Sequence, residues 1–335
     1  YFAMRNEIFF KTDDVEGTPI GIPRSLAMYE LFPFFYRFLT ECGFRPVLSD
    51  STNRSIIEMG AEVSVADTCL PVKIALGHIQ NLINKNIRNM FIPSIITMAP
   101  KDDNFTRCFV CPYVQTIPYM ARTVFGKDIE ISAPYIYFDR GKDGIEGSLI
   151  EFARQHGIGK KQAKKALAAA TVYQRTVDEE IQTIGKKVFQ NIEDLTFVLC
   201  SRPYNGYDLG LNLNLPKKLR DLGVAAIPID FIPLKYESLR EDFYNMYWHY
   251  GQRILAAAET IREHKDLYAV YVSNFACGPD SFLTRFFREK LGEKPYLLVE
   301  IDEHSGDAGF ITRCEAFYDS IRGAQHRSTP RRIKA

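Results

Sequence analysis

Seven cysteines stand in the sequence of 335 residues, and three of them share one kind of setting. Cys69 follows EVSVAD and precedes LPVKIALGH, Cys111 precedes PYVQTIPYM, and Cys277 follows YVSNFA and precedes GPDSFLTRF. Each stands just ahead of text that reads as a helix start, with a proline one or two residues on, and for Cys69 and Cys277 the preceding text reads as a strand. The N–H groups of a helix N-terminus are expected to lower a thiol pKa there, and βα turns gather residues distant in sequence onto one rim. Three thiolates on one rim suit an iron-sulfur cluster. Taken singly, each thiol is also what a small, partly buried hydrophobe looks like. Cys108 and Cys111 form CFVC, a lone C-x-x-C, so a zinc site on Cys69, Cys108, Cys111 and Cys277 stands as the alternative. Cys42, Cys200 and Cys314 read as core or surface thiols.

Polar clusters interrupt the ends of several apolar runs. SRPYNGYDLGLN follows TFVLC, and IDEHSGDAGF follows PYLLVE, which directs Arg202, Tyr204, Asn205, Asp208, Asn274, Asp280, Glu303 and His304 toward the rim that holds Cys277. Arg202, Asn205 and Asn274 are the candidate substrate contacts. Turn and N-cap chemistry explains much of this composition, Asp280 included. It explains less well His304, wedged between Glu303 and Ser305, which is a candidate proton donor with Glu303 beside it. GIPR at Gly21 to Arg24 opens a βα turn that could hold an anion on a helix N-terminus.

The elements that must position these residues follow from periodicity. Short apolar runs alternate with amphipathic stretches, the pattern of βα units and a parallel sheet. A first α/β lobe is expected over residues 17–140, with strands at PIGIP, RPVLS, EVSVA, NMFIPSI and PYIYF. Residues 141–193 read as a helical connector broken at His156 and Gly157. A second α/β lobe is expected over residues 194–322, with strands at LTFVLCS, VAAIPID, LYAVYVSNF and KPYLLVEID and a helix from Phe243 to His264. Two such lobes place a site in the cleft between them, at the carboxyl ends of the strands. Residues 1–16 form an N-terminal extension without clear periodicity, whose non-Met start suggests a piece of a longer polypeptide, and residues 323–335 read as a solvated basic tail.

Composition excludes several classes. With 42 Lys and Arg against 41 Asp and Glu, no global field draws the chain to nucleic acid or an anionic membrane. No apolar stretch is long enough to span a bilayer, and the odd, sparse cysteines argue for a reducing compartment, so a cytoplasmic protein is expected. GxxxxGK[ST], GxGxxG and GxSxG are all absent, so any driving ATP hydrolysis must come from another domain or protein.

The phrases GIPRSLAMYELFPF, ADTCLPVKIALGH, CPYVQTIPY, SRPYNGYDLGLNLNLPKKL, SNFACGPDSF and EIDEHSGDAGFITRCEAF together resemble the acyl-CoA dehydratase activase-related family, homologues of the catalytic components of 2-hydroxyacyl-CoA dehydratases. The resemblance implies two flavodoxin-like or Rossmann-like lobes holding a 4Fe-4S cluster through Cys69, Cys111 and Cys277. It also implies an ATP-hydrolysing activator with an actin-like fold, separate or fused upstream, that injects a low-potential electron. In the dehydratases that electron reaches a 2-hydroxyacyl-CoA thioester and forms a ketyl radical that expels hydroxide. Some relatives carry a double-cubane cluster, which needs more cysteine ligands than the three well placed here. Three functions follow as expectations: an iron-sulfur component reducing a small or acyl-CoA substrate, a complete dehydratase, or a non-redox module that binds a CoA-like ligand. A homodimer is compatible with each.

Overall fold

The computed structural model describes residues 1–328 apart from 104 and 106. The first lobe runs through α1 (Phe2–Phe9), β1 (Thr18–Ile22), α2 (Met28–Glu41), β2 (Phe44–Leu48), α3 (Arg54–Val63), α4 (Leu70–Asn84), β3 (Asn89–Phe91), β4 (Ser94–Thr97), α5 (Pro112–Phe125), β5 (Glu130–Ser132) and β6 (Tyr135–Tyr137). Helices α6 (Asp143–Gln155) and α7 (Lys160–Gln190) form the connector, parted at His156 and Gly157 as expected. The second lobe runs through β7 (Thr196–Ser201), α8 (Pro203–Gly206), α9 (Leu215–Asp221), β8 (Ala225–Pro228), α10 (Tyr236–Phe243), α11 (His249–Glu263), β9 (Leu267–Asn274), α12 (Gly278–Leu291), β10 (Tyr296–Ile301) and α13 (Asp307–Ser328).

Both lobes are parallel α/β sheets with the same topology. The first has the order β2-β1-β3-β5, extended by the parallel pair β4-β6, and the second has the order β10-β9-β7-β8. Counted within each lobe, both orders read 2-1-3-4, with a switch point between the first and third strands where open α/β sheets bind their ligands. Every residue of β7 is buried, as a strand covered on both faces requires.

Three sequence expectations need correction. EVSVA is not a strand: α3 runs through Glu62 and Val63, because the Asn53 side chain caps it by accepting the Ile56 N–H at 3.1 Å and because glycines let it lie hard against α4. A Cβ on Gly60 would stand 2.0 Å from the Lys73 carbonyl oxygen, and one on Gly77 2.0 Å from that of Ile56. NMFIPSI is interrupted at Pro93, whose partner strand is interrupted at Pro134, since proline offers no ladder donor. The expected Phe243 to His264 helix is split, because Phe109 pairs with the intervening chain, donating its N–H to the Tyr247 carbonyl at 2.8 Å and accepting from His249 at 3.0 Å. The opening stretch, without legible periodicity, contains α1, which buries Phe2, Arg5, Asn6 and Phe9. Residues 323–328 of the expected basic tail continue α13, and 329–335 lie outside the described residues.

The connector is welded to the first lobe at a proline. Pro33 inside α2 cannot donate to the Tyr29 carbonyl one turn back, and Arg5 Nη2 takes that carbonyl at 3.0 Å. The next helical hydrogen bond is also open. Gln174 of α7 fills it, donating Nε2 to the Glu30 carbonyl at 3.1 Å and accepting the Phe34 N–H at 3.1 Å. The lobes meet directly as well: Thr52 of the first donates to Asp208 of the second at 2.5 Å, and the same hydroxyl reaches His78 Nε2 at 2.9 Å. No described helix is long and apolar enough to cross a membrane.

Candidate functional site

The three selected cysteines are all N-cap residues. Cys69 caps α4, Cys111 caps α5 and Cys277 caps α12, each with extended ψ and a proline at the first or second helical position. Proline suits those positions because its missing N–H would be unpaired there anyway. All three are partly exposed free thiols, whereas Cys42, Cys108, Cys200 and Cys314 are buried. Cys277 leaves β9 directly, but Cys69 does not leave a strand, since α3 precedes it.

Cys69 and Cys111 come from the first lobe and Cys277 from the second, and all three act on one buried side chain. The buried Tyr204 hydroxyl interacts electrostatically with Cys111, Cys277 and Cys69, and Cys69 with Cys111. Beside it, Arg202 Nη1 donates to Cys277 Sγ at 3.1 Å and to Asp280 Oδ2 at 2.5 Å. Asp280 also accepts from the Tyr271 hydroxyl at 2.8 Å and from Ser273 Oγ at 2.6 Å. Arg202 and Asp280 are each 3% exposed, so their charges are neutralised by each other and not by water. Burial works against the Arg202 charge, yet Asp280 and Cys277 hold its pKa well above the usual arginine value.

For Cys69 and Cys277 the expected lowering of the thiol pKa is not found. Burial pushes Cys69 up to about 11, with Cys111 adding to it, against an N–H of α4 that works the other way. Burial likewise pushes Cys277 up to about 12 in spite of Arg202. Desolvation of an anion outweighs the partial charge of a helix end when the sulfur has little water around it. Among the described residues, no group of three or more His, Cys, Asp and Glu side chains is drawn together tightly enough to hold a metal ion.

The other candidates are placed as follows. Cys108 is fully buried under Gln252, whose Oε1 lies 3.7 Å from its sulfur, and no other thiol is among the groups that perturb it. Asn205 and Asn274 are buried and brace strand ends, donating to the Val272 and Ile301 carbonyls at 3.4 Å. Glu303 accepts from Lys73 Nζ of the first lobe at 2.6 Å, one turn beyond Cys69, and this bond holds its carboxyl below the usual range against the opposing effect of burial. His304 is 85% exposed and 3.9 Å from Glu303. GIPR does not open a helix directly, since α2 starts at Met28; the Arg24 N–H goes to Ser49 Oγ at 2.8 Å and its guanidinium lies on the Phe10 ring.

Asp280 is more than turn chemistry. It occupies the third position of α12, with Cys277 as the cap, and anchors Arg202. A signal for this was present in β9, where Tyr271 and Ser273 put hydroxyls on one face of an otherwise apolar strand. Lys73 gave no such signal, because it stands in the apolar run LPVKIALGH.

A family model described as the CoA enzyme activase uncharacterised domain matches residues 19–232, and the chain belongs to that family. The match takes in Cys69, Cys111 and Arg202, while Cys277, Asp280 and Glu303 lie beyond it. No curated protein matches the chain.

Proposed function

We propose that this member of the CoA enzyme activase family carries an iron-sulfur cluster on Cys69, Cys111 and Cys277, takes low-potential electrons from an ATP-hydrolysing activator, and delivers them to a small or acyl-CoA substrate. What supports the reading is that three N-cap thiols, drawn from two lobes, all act on the buried Tyr204 hydroxyl, and that Arg202 hydrogen-bonds the sulfur of Cys277. A cluster bound there would supply reversible one-electron chemistry at low potential. The chain's own residues bind and bias it. The ends of α4, α5 and α12 turn N–H dipoles toward the ligating sulfurs, which stabilises their negative charge. Arg202, fixed by Asp280, gives Cys277 a charged hydrogen bond, the kind of contact to sulfur that tunes a cluster's potential. Partial burial of all three thiols restricts water at the sulfurs.

The test is iron, zinc and acid-labile sulfide on anaerobically purified protein. About four irons and four sulfides per chain are expected. Cys69→Ser, Cys111→Ser and Cys277→Ser should each remove most of the iron, and Cys42→Ser and Cys314→Ser should leave it in place. Bound zinc, or equal iron in all five variants, overturns the assignment.

A further inference from the structure

Away from the thiols, a cavity of about 420 Å³ opens between α7, the turn after β8, and α11, and is closed by α1, α2 and Lys101. That volume falls within the usual range of small-molecule pockets. Its walls come from both lobes, the connector and the N-terminal helix, so it exists only in the assembled chain. One side is apolar, made by Ile181, Phe189, Phe231 and Leu234. The other side is ionic, and most of its charges already have partners. Arg5 pairs with Asp230 at 3.3 Å, and Arg253 pairs with Asp230 and, at 3.6 Å, with Glu30.

Two cations are left over. Lys101, from the loop after β4, and Lys186, from α7, both line the cavity, and neither has an ion pair or hydrogen bond among the described residues. Asp178 lines the same cavity, and burial raises its pKa to about 6, with Lys101 opposing the shift and Glu30 adding to it. Arg5, only 1% exposed, also keeps an Nη1 with no hydrogen-bond partner. The lining therefore carries four cations against three carboxylates, a surplus that one negative charge would balance.

We propose that this cavity binds a small monoanionic carboxylate with an apolar body, its acid group held between Lys101 and Lys186 and its body laid on Ile181, Phe231 and Leu234. A doubly charged phosphate would exceed the surplus and leave the apolar wall uncovered. The site is independent of any cluster, so the full chain can be tested without metal.

Calorimetric titration with 4-phenylbutyrate, its neutral amide and inorganic phosphate is the experiment. The carboxylate should bind, the amide should bind about tenfold more weakly, and phosphate should not compete. Lys101→Ala and Lys186→Ala are exposed substitutions that leave the fold intact, and each should weaken the carboxylate about fivefold. Asp178→Asn, which removes the opposing charge, should tighten it at pH 7. Failure of the carboxylate to bind, equal binding of the amide, competition by phosphate, indifference to both lysine substitutions, or a weaker Asp178→Asn variant overturns the proposal.

Discussion

The two lobes share one strand order and treat their thiols in opposite ways. In the second lobe Cys277 is held by a closed, buried set of partners: Arg202 donates to its sulfur, and Asp280, fixed by Tyr271 and Ser273, neutralises Arg202. In the first lobe no side chain hydrogen-bonds the sulfur of Cys69 or Cys111 among the described residues, and the nearby Lys73 turns away to Asp67 and Glu303. Topology alone therefore supplies the three N-cap positions, while charge compensation at the site is a property of one lobe. The second lobe is ordered around its thiol in advance. The first leaves Cys69, whose burial disfavours its ionised form, with no side chain hydrogen-bonded to its sulfur among the described residues.

The sharpest way to break this comparison is to remove the anchor. Asp280→Ala strips a buried guanidinium of its countercharge and should lower stability by about 3–5 kcal/mol, read from urea unfolding. Asp280→Asn keeps the shape and should show an intermediate loss. If Lys73→Ala, which removes the buried cation one turn beyond Cys69 in the first lobe, is equally damaging, the asymmetry between the lobes is wrong.

A second contrast uses pH. His78 in the first lobe is fully buried, and its ring lies between Ser49 Oγ at 2.8 Å and Thr52 Oγ1 at 2.9 Å; burial lowers its pKa to about 3. The unfolded chain takes up that proton near pH 6.5 and the folded chain does not, so the contribution is complete above pH 6.5 and is lost as pH falls toward 3. Between pH 7 and pH 5 the loss should be about 2 kcal/mol, and His78→Gln should flatten the profile by that amount. His249 in the second lobe is also buried, with its pKa lowered to about 4, but neither ring nitrogen finds a hydrogen bond among the described residues. Replacing it with Phe should flatten the same limb while raising stability at pH 7, because it removes an unsatisfied polar ring. A His249→Phe variant less stable than wild type at pH 7 would show that the ring has a partner.

Much of this arrangement was legible because local rules agreed with the fold. Alternating apolar and amphipathic runs gave the doubly wound lobes, and prolines just after Cys69, Cys111 and Cys277 marked helix starts that the structure contains. The EVSVA reading failed because alternating β-branched residues lost to an Asn53 cap and to Gly60 and Gly77, whose importance lies in a helix crossing that one strand of text does not display. Helix α1 was hidden because Arg5 and Asn6 sit on its buried face, Arg5 stacked on the Phe9 and Tyr207 rings and bonded to a carbonyl that Pro33 left open. The Cys69 and Cys277 pKa values were misjudged for a related reason. A helix N-terminus is a local feature and can be read from text, whereas burial is produced by packing against parts of the chain distant in sequence.

The smallest effect is expected where the lobes touch over the thiols. Lys73 and Glu303 are 10% and 18% exposed, and Lys73 keeps Asp67 at 3.0 Å as a second partner, so Glu303→Gln leaves no isolated buried charge and should lower stability by about 1 kcal/mol or less at pH 7. The carboxyl is held below its ordinary pKa by that bond. Its contribution is then present above the unfolded value and disappears as pH falls through the folded one, so wild type and Glu303→Gln should converge in acid. His304→Ala, at an exposed side chain, should change neither curve. A Glu303→Gln loss as large as that of Asp280→Ala would mean that the seam between the lobes, and not the Arg202 anchor, is what holds the thiol site closed.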